Sequence, residues 1–311
     1  MNSFGDKFRF TSFGESHGRA IGGVLDGVPA GLSIDIDMIH DELDRRAGRI
    51  AAIGHATSTR AQHEQDEVEW LSGVMDGKTL GTPIAFIIRN TDARPQDYEW
   101  LRTHYRPGHA DWVYEKKYGI RDWRGGGRAS ARETISRVVV GCIAKQLLLA
   151  KGIRIHAQVT QIGMETDSTK WETLLEEVRR AGDSIGGIVT CTISGVPVGV
   201  GEPIFDKLQS HLAYAMMTIN GCKGFDYGCG FSELDQRGSE QYTHCTAESC
   251  PASGGIDGGI SNGQDIVFRC AFKPTATIGQ LYKGRHDVCI ALRAAAVVEA
   301  MAALVLINET L

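Results

Sequence analysis

Proline and several familiar sequence motifs are scarce or missing in this chain of 311 residues. No two of its eight cysteines have C-x-x-C spacing, which gives no support to a zinc ribbon or a thioredoxin-like redox site. Neither a Walker loop nor a strict dinucleotide-binding G-x-G-x-x-G occurs. Only eight prolines accompany 38 glycines, and this glycine content is well above the average of roughly 7%. The excess indicates tight backbone approaches inside an ordered fold rather than a flexible linker.

Long uncharged apolar stretches are also missing, and the net charge is only −5. The two most apolar helical segments contain Lys145 and Glu299, so we expect buried core helices rather than membrane spans. The N-terminus lacks a basic start and an apolar run, which predicts a cytoplasmic protein with reduced cysteines. His244, Cys245 and Cys250 fit no standard metal spacing, so we predict no metal. The charge disfavours nucleic-acid binding, and any anion site must be a local concentration of arginine.

Hydrophobic patterns along the chain predict a mixed α+β fold. Strands are predicted over residues 7–13, 84–88, 153–162 and 265–272. Residues 134–150 and 293–307 are apolar nearly all round, which predicts two buried helices. No linker rich in proline or serine divides the chain. We therefore predict one domain over residues 1–311, with sheets outside and the apolar helices inside.

An internal repeat connects the two halves of the chain. Residues 27–31 and residues 195–199 both read G-V-P-x-G, and each copy follows a strand end and precedes a predicted helix. This recurrence predicts a duplicated strand–turn–helix unit related by a pseudo-two-fold axis. The alternative is that a short Gly-Pro turn has recurred by chance.

The segment over residues 121–134 carries the strongest chemical signal. Three consecutive glycines at residues 125–127 let the backbone turn tightly and approach a ligand closely. Ser130 and Glu133 have capping-box spacing, which predicts that a helix begins here. A helix N-terminus with nearby arginines suits a phosphate or a carboxylate. The alternative is a glycine turn flanked by solvated arginines.

Two histidines lie among small or turn residues, where a side chain can reach a ligand. His17 follows the first predicted strand, and His109 lies in the stretch R-P-G-H-A-D over residues 106–111. Either ring can act as an acid near neutral pH, although a lone histidine in a turn is more often structural. Arg285 and Asp287 flank a third histidine, but consecutive residues need not face one pocket.

Two further segments offer ligand contacts. Arg46 and Arg49 lie at the end of the helix predicted over residues 36–46, where cations also complement the helix dipole. Residues 254–263 contain five glycines and precede a predicted strand, so this loop also permits close backbone approach.

Taken together, these segments resemble the chorismate synthase family. Long motifs in the family's order cover nearly the whole chain. Besides the segments above, the similar stretches are residues 26–31, 71–74, 90–92, 117–122, 220–224, 272–275 and 283–287.

The resemblance implies a β-α-α-β sandwich and a lyase of the shikimate pathway, which leads to the aromatic amino acids. Such an enzyme converts 5-enolpyruvylshikimate 3-phosphate to chorismate and phosphate by anti-1,4-elimination. The resemblance also implies reduced FMN as the cofactor, NADPH as a candidate reductant, and a homotetramer.

The family's functional residues carry over to positions of this sequence. By resemblance, His17 is the acid beside the leaving phosphate, His109 is the acid beside the flavin, and Asp287 assists proton removal near the flavin. Substrate or NADP contacts fall on Arg46 and Arg132, and a second basic position falls on Arg49 or Arg60. Flavin contacts fall on Arg128, Ala129, Ser130, Asn220, Gly221, Gly258, Lys273, Pro274, Thr275, Ala276, Thr277 and Arg285.

Departures from the family pattern leave two other functions open. Residues 238–243 lose polar positions of the family motif, Val288 replaces a proline, and the connector over residues 277–283 is shorter than the family's hairpin. These changes leave open that the chain is an inactive paralogue that binds the flavin without catalysing the reaction. An NAD(P)H:flavin reductase is the other alternative, although the chain has no dinucleotide fingerprint.

Overall fold

The computed structural model describes residues 1–49, 65–246, 248–278 and 287–311. Its strands are β1 (Ser3–Phe4), β2 (Arg9–Phe13), β3 (Ala20–Asp26), β4 (Glu69–Ser72), β5 (Val74–Met75), β6 (Lys78–Thr79), β7 (Ile84–Arg89), β8 (Arg154–Ile162), β9 (Gly187–Ser194), β10 (Cys222–Tyr227), β11 (Ile256–Asp257), β12 (Ile260–Ser261) and β13 (Ile266–Phe272). Its helices are α1 (Ile36–Ala47), α2 (Asp111–Tyr118), α3 (Thr134–Ala150), α4 (Trp171–Arg180), α5 (Leu208–Met217), α6 (Gly238–Gln241) and α7 (Ala291–Thr310).

The two larger sheets share one topology. The first has the order β1-β2-β3-β7-β4, and the second has the order β10-β13-β9-β8. Apart from β1, each sheet uses two adjacent strands, then a helix (α1 or α5), then two further strands. Each half also inserts a short hairpin, β5–β6 or β11–β12, and ends in a long helix, α3 or α7. The predicted internal repeat is therefore confirmed, because the sheet strands, the helix between them, the hairpin and the long helix occur twice in the same order, with α2, α4 and α6 as additions to one half or the other.

The repeated G-V-P-x-G turn is held by equivalent hydrogen bonds in both halves. Thr79 Oγ1 donates to Pro29 O, and Ser261 Oγ donates to Pro197 O, each over 2.6 Å. Each hydroxyl also accepts from the backbone N–H three residues after its proline, at 3.0 and 2.9 Å. The short hairpin of each half thus fixes the turn that leads from a strand into a helix.

The first glycine of each turn cannot be replaced without strain. Gly27 has φ +83° and Gly195 has φ +78°, which L-residues rarely adopt. A Cβ atom would lie 1.8 Å from Lys7 O in the first half and 2.2 Å from Gly152 O in the second. Lys7 lies two residues before β2, and Gly152 lies two residues before β8. The two turns therefore pack against equivalent positions of the two halves.

The helices α3 and α7 lie between the sheets, as the apolar patterns predict. The helix α3 packs against β2 and β3, α7 packs against β8 and β9, and the two helices pack on each other. Their contact is close, since a Cβ atom on Gly141 would lie 2.4 Å from that of Ala300. By length and composition α7 is apolar enough to cross a membrane, but 89% of its apolar window is buried inside the molecule. The layer order is therefore β-α-α-β.

Glu299 introduces a charge into this helical core. Its carboxylate accepts hydrogen bonds from Lys145 Nζ over 2.7 Å, Arg45 Nη1 over 2.7 Å and the Ala157 backbone N–H over 2.6 Å. Burial would raise the pKa of Glu299, but Lys145 and Arg45 outweigh it and hold the pKa below its ordinary value. The group connects α1, α3, α7 and β8, so it ties the two halves together.

Candidate active site

A cavity of about 500 Å³ brings most of the predicted site residues together. Its walls come from the turn after β2, the segment before and within α2, the glycine loop before α3, the start of β10 and the end of β13. Both halves of the repeat contribute to it. The predicted residues that line it are His17, His109, Ala129, Ser130, Arg132, Asn220, Gly221, Lys273, Pro274, Thr275, Ala276, Thr277 and Asp287.

Other predicted residues lie outside this cavity. Arg128 turns toward β2, where its guanidinium donates to Gly14 O over 3.1 Å and Ser12 Oγ over 2.5 Å. Gly258 lies exposed in the hairpin turn between β11 and β12. Arg49 pairs with Asp44 over 2.8 Å beyond the end of α1. The predicted residues Arg60 and Arg285 fall outside the described residues.

Arg46 lies in a small adjoining cavity of about 20 Å³ that shares walls with the large one. It is buried, and its guanidinium donates to Thr134 Oγ1 over 3.2 Å and to Ala131 O over 2.8 Å. Burial is the largest cause that holds the pKa of Arg46 well below its ordinary value, and the charges of Arg293 and Arg132 lower it further. Three arginines therefore converge at this end of the site, and a negatively charged ligand would relieve their mutual repulsion.

The three-glycine loop packs directly against both predicted histidines. Gly125 and Gly126 have φ +64° and +92°. A Cβ atom on Gly125 would lie 2.3 Å from His17 Cε1 and Nδ1, and one on Gly126 would lie 2.7 Å from His109 Cε1. The glycines are needed for close approach to the two rings, and they bring His17 and His109 to one wall of the cavity.

The helix after this loop begins later than its sequence spacing predicts. Ser130 accepts a long hydrogen bond of 3.4 Å from the Arg132 backbone N–H, and α3 starts only at Thr134 after a 3₁₀ turn. The Glu133 side chain pairs with Arg137 over 2.9 Å. The predicted capping box is therefore only half formed. The Ser130 hydroxyl accepts a hydrogen bond from the backbone, but the Glu133 carboxylate pairs with Arg137 and does not accept from the Ser130 backbone N–H.

The His17 ring is enclosed on several sides. Its Nδ1 lies 2.7 Å from Ser16 Oγ, and Ser16 is fully buried. The ring of Tyr98 meets it edge-on, with the two centroids 4.8 Å apart. Tyr98 also lines the cavity. Sequence patterns gave no sign of this contact, because Tyr98 comes from a 3₁₀ turn far away along the chain.

His109 belongs to a buried group with Arg106 and Asp111. Its Nδ1 lies 2.8 Å from Asp111 Oδ1, and Arg106 pairs with the same carboxylate through Nε over 2.8 Å and Nη2 over 2.9 Å. Burial would raise the pKa of Asp111, but hydrogen bonds from Arg106 and His109 outweigh it and hold the pKa far below its ordinary value. Asp111 is therefore ionised at neutral pH.

Positive charge dominates the cavity wall. Arg106, Arg132, Lys223, Lys273 and Arg293 line it, whereas Asp287 is the one acidic side chain among its described lining residues. Only two of these five cations were predicted from the sequence as ligand contacts. Arg106 lies inside the R-P-G-H-A-D stretch and could have been singled out there, but nothing near Arg293 in the sequence marks it.

Several of these cations are already held in place by the protein. Arg132 donates to Asp66 Oδ1 over 2.7 Å and to Asn90 Oδ1 over 3.1 Å, and Arg293 donates to Asp287 Oδ2 over 2.8 Å. These anchors fix the guanidinium planes before any ligand arrives, which is the preorganisation that charge stabilisation requires.

The cysteine prediction needs one correction. Cys245 and Cys250 form a disulfide, with Cα atoms 4.4 Å apart, in contrast to the predicted reduced thiols. The Thr246 N–H donates to Ser249 O over 2.8 Å, and this bond holds the chain next to each of the two cysteines together. No group of metal-ligating side chains occurs among the described residues.

The fold and this site define a protein with a cationic, glycine-lined cavity that is large enough for a small molecule and has two histidines on one wall. A sequence model of the chorismate synthase family matches residues 8–311. The chorismate synthase of Christiangramia forsetii is 46% identical over 346 residues, covering 98% of this chain and 96% of the relative. That of Parabacteroides distasonis is 46% identical over 355 residues, covering 100% and 98%. A crystal structure of chorismate synthase superposes with a TM-score of 0.76 at 31% identity, covering 98% of this chain and 92% of the other.

The chain therefore belongs to the chorismate synthase family, whose members are lyases of the shikimate pathway. The alignment with the Christiangramia relative extends over 346 positions, more than the 311 residues of this chain. Stretches of the relative therefore have no counterpart here.

Proposed function

We propose that this protein eliminates phosphate from 5-enolpyruvylshikimate 3-phosphate to form chorismate, with reduced FMN bound in the same cavity. The observation that supports this most strongly is the placement of His17 and His109 on one glycine-lined wall of a cavity that is also lined by five cations. The substrate has two carboxylates and one phosphate, and five cations against one carboxylate suit such a ligand. Binding and acid catalysis are thus both provided within one cavity.

The cavity also fits a flavin. The Oδ1 atom of Asn220 is buried and has no hydrogen-bond partner among the described residues, although its Nδ2 donates to Ala129 O over 3.1 Å. A buried acceptor without a partner is costly unless a ligand supplies a donor. Gly221 and Lys273 lie beside it, joined by a backbone hydrogen bond of 3.0 Å. Asn220, Gly221 and the residues from Lys273 to Thr277 would hold the cofactor, which supplies an electron to the substrate and receives it back.

The chain's own residues would divide the remaining chemistry among them. His17 donates a proton from Nε2 to the departing phosphate, and Arg132 together with the neighbouring cations stabilises the negative charge that develops there. His109 holds a proton beside the flavin. Asp287, which is oriented by Arg293, assists removal of the substrate proton. Arg106, Arg132 and Arg293 need no rearrangement during the reaction, since protein carboxylates already hold them.

Three accessory properties complete the proposal. Arg46 in the adjoining cavity contributes to substrate or NADPH binding, since its charge is buried beside two other arginines. Arg49 and Gly258 lie outside the cavity and act on it through a neighbouring copy in a homotetramer. The protein works in the cytoplasm.

An anaerobic assay tests the function directly. Dithionite-reduced FMN, substrate and protein are mixed, and both chorismate absorbance and released phosphate are followed. We expect both products to appear in equal amounts, and His17→Ala to abolish most of the rate. A parallel mixture of protein, oxidised FMN and NAD(P)H tests the alternative: NAD(P)H oxidation with flavin reduction there, and no phosphate release in the first assay, would instead identify a flavin reductase. FMN binding without either reaction would identify an inactive paralogue.

A further inference from the structure

Asp111 is placed to control which nitrogen of His109 carries a proton. The carboxylate accepts four hydrogen bonds: three from Arg106, through its backbone N–H over 3.0 Å, Nε over 2.8 Å and Nη2 over 2.9 Å, and one from His109 Nδ1 over 2.8 Å. An ionised carboxylate can only accept, so the His109 nitrogen that faces it must be the donor. The side chain of Asp111 is only 2% exposed, so water does not compete for this bond.

We propose that Asp111 is a positioning residue that keeps the proton of His109 on Nδ1, so that Nε2 is the only ring nitrogen that exchanges protons with the cavity. This inference rests on the proposed function for its catalytic consequence, but not for its structural basis. The Arg106 Nη2 atom lies 3.1 Å from Nδ1 and bonds to the same carboxylate oxygen. Arg106 therefore anchors Asp111, and it contributes no acceptor to the ring.

Apart from Arg106 Nη2, which donates to Asp111 Oδ1, no described residue of the neighbouring elements provides another hydrogen-bond partner for Nδ1. The loop wall beside the ring is Gly126, which has no side chain. Lys273 approaches from the end of β13, but its Nζ donates to Gly108 O over 2.6 Å. The ring is thus fixed on one edge by Asp111, and its Cε1–Nε2 edge lies against the glycine loop.

Replacing Asp111 by asparagine should move the proton of the neutral His109 ring from Nδ1 to Nε2. The Arg106 N–H and Nε both point at one carboxylate oxygen, so the carboxamide oxygen must take that place. Its NH₂ group then faces His109 and donates to Nδ1. A nitrogen that accepts cannot carry a proton, so the neutral ring must hold its proton on Nε2.

The test uses the full-length protein labelled with ¹⁵N-histidine, with the His109 signals assigned by their loss in His109→Gln. At a pH where the ring is neutral, we expect the proton on Nδ1 in the unaltered protein and on Nε2 in Asp111→Asn. The turnover number of Asp111→Asn should fall about 100-fold, with less than about a threefold change in substrate KM.

Asp122→Asn provides the matched control. Asp122 accepts from Arg124 in the same manner, through the backbone N–H over 3.0 Å, Nε over 2.8 Å and Nη2 over 2.9 Å, but it has no histidine neighbour of this kind. This variant should leave the His109 proton on Nδ1. A shift to Nε2 in the control would overturn the inference, because it would trace the effect to general disturbance.

Two other results would also overturn the inference: a proton on Nε2 in the unaltered protein, or a proton that stays on Nδ1 in Asp111→Asn. The first measurement needs no variant, so it decides the question even if Asp111→Asn fails to fold. If the proton moves as expected but the unaltered protein makes no chorismate, the positioning role is supported and the proposed function alone fails.

Discussion

Gly125→Ala is the sharpest test of how the loop serves the site. The new Cβ atom would lie 2.3 Å from two atoms of the His17 ring and 3.0 Å from Ser16 Oγ. Carbon atoms in ordinary contact are separated by about 3.5–4.0 Å, so the ring would have to move by more than about 1 Å. Displacement of a catalytic group by 1 Å can cost about 100-fold in rate. We therefore expect about a 100-fold loss of turnover in the chorismate assay.

The same substitution carries a backbone penalty that must be separated from the clash. Gly125 has φ +64°, and alanine in this conformation costs roughly 1–2 kcal/mol. Gly152 provides the control, because it has φ +80° but a Cβ atom there would meet no other atom within 4 Å, and it does not line the cavity. In urea unfolding, Gly152→Ala should lose the same roughly 1–2 kcal/mol from the backbone conformation, and its turnover should not change. Near-normal turnover of Gly125→Ala, or an equal loss in Gly152→Ala, would refute the reasoning.

Three further substitutions test separate parts of the site. His17→Ala should lower turnover by about 10²–10⁴-fold with little change in FMN affinity. Alanine at the exposed His40 should change neither quantity. Stopped-flow assays measure the turnover, and flavin titrations measure the affinity. Arg132→Lys should weaken substrate binding about tenfold and leave FMN binding nearly unchanged, because lysine keeps the charge but not the paired geometry; equal weakening of both ligands would contradict this. Asn220→Ala should weaken FMN binding about tenfold in equilibrium titration, since it removes a buried acceptor, and unchanged affinity would remove Asn220 from the flavin site.

Local patterns were sufficient to predict most of the fold. The strand predicted over residues 153–162 is β8, and the helix predicted over residues 134–150 is α3. Alternation and continuous apolar character report burial directly, so these elements need no knowledge of their partners. The repeat was also readable, because the turn needs glycine at its first position in both halves for the same steric reason.

The contacts that organise the site were not predictable in this way. Gly125 meets His17 across more than a hundred residues, and Arg132 pairs with Asp66 from a different part of the chain. Such pairs have no period and no characteristic spacing, since the folded topology alone brings them together. Sequence reasoning therefore found the loop and the histidines, but it could not show that one packs on the other.

The buried carboxylate of Glu299 leads to a prediction about acid stability. Its pKa is lower in the folded protein than its ordinary value of 4.5, because Lys145 and Arg45 outweigh the effect of burial. A carboxylate of this kind contributes stability above the unfolded pKa, and the contribution is lost as the pH falls through the folded pKa. Glu299→Gln should thus be destabilising at pH 7. It leaves two cations with Glu42 as their remaining carboxylate partner, and breaking such a buried group costs about 3–5 kcal/mol.

The difference in stability between Glu299→Gln and the unaltered protein should narrow as the pH falls from about 4.5 through the lower pKa of the folded protein, because Glu299 takes up its proton first in the unfolded chain and only then in the folded one. Urea unfolding at a series of pH values measures this. Glu176→Gln is the control: its carboxylate pairs with Arg179 and has its pKa lowered to about 2, but the pair lies at the surface of α4, so solvent screens the interaction. Its substitution should change stability little at any pH. If both variants lost the same stability, or if the Glu299 difference were independent of pH, the ionised carboxylate would not be what holds the two halves of the fold together.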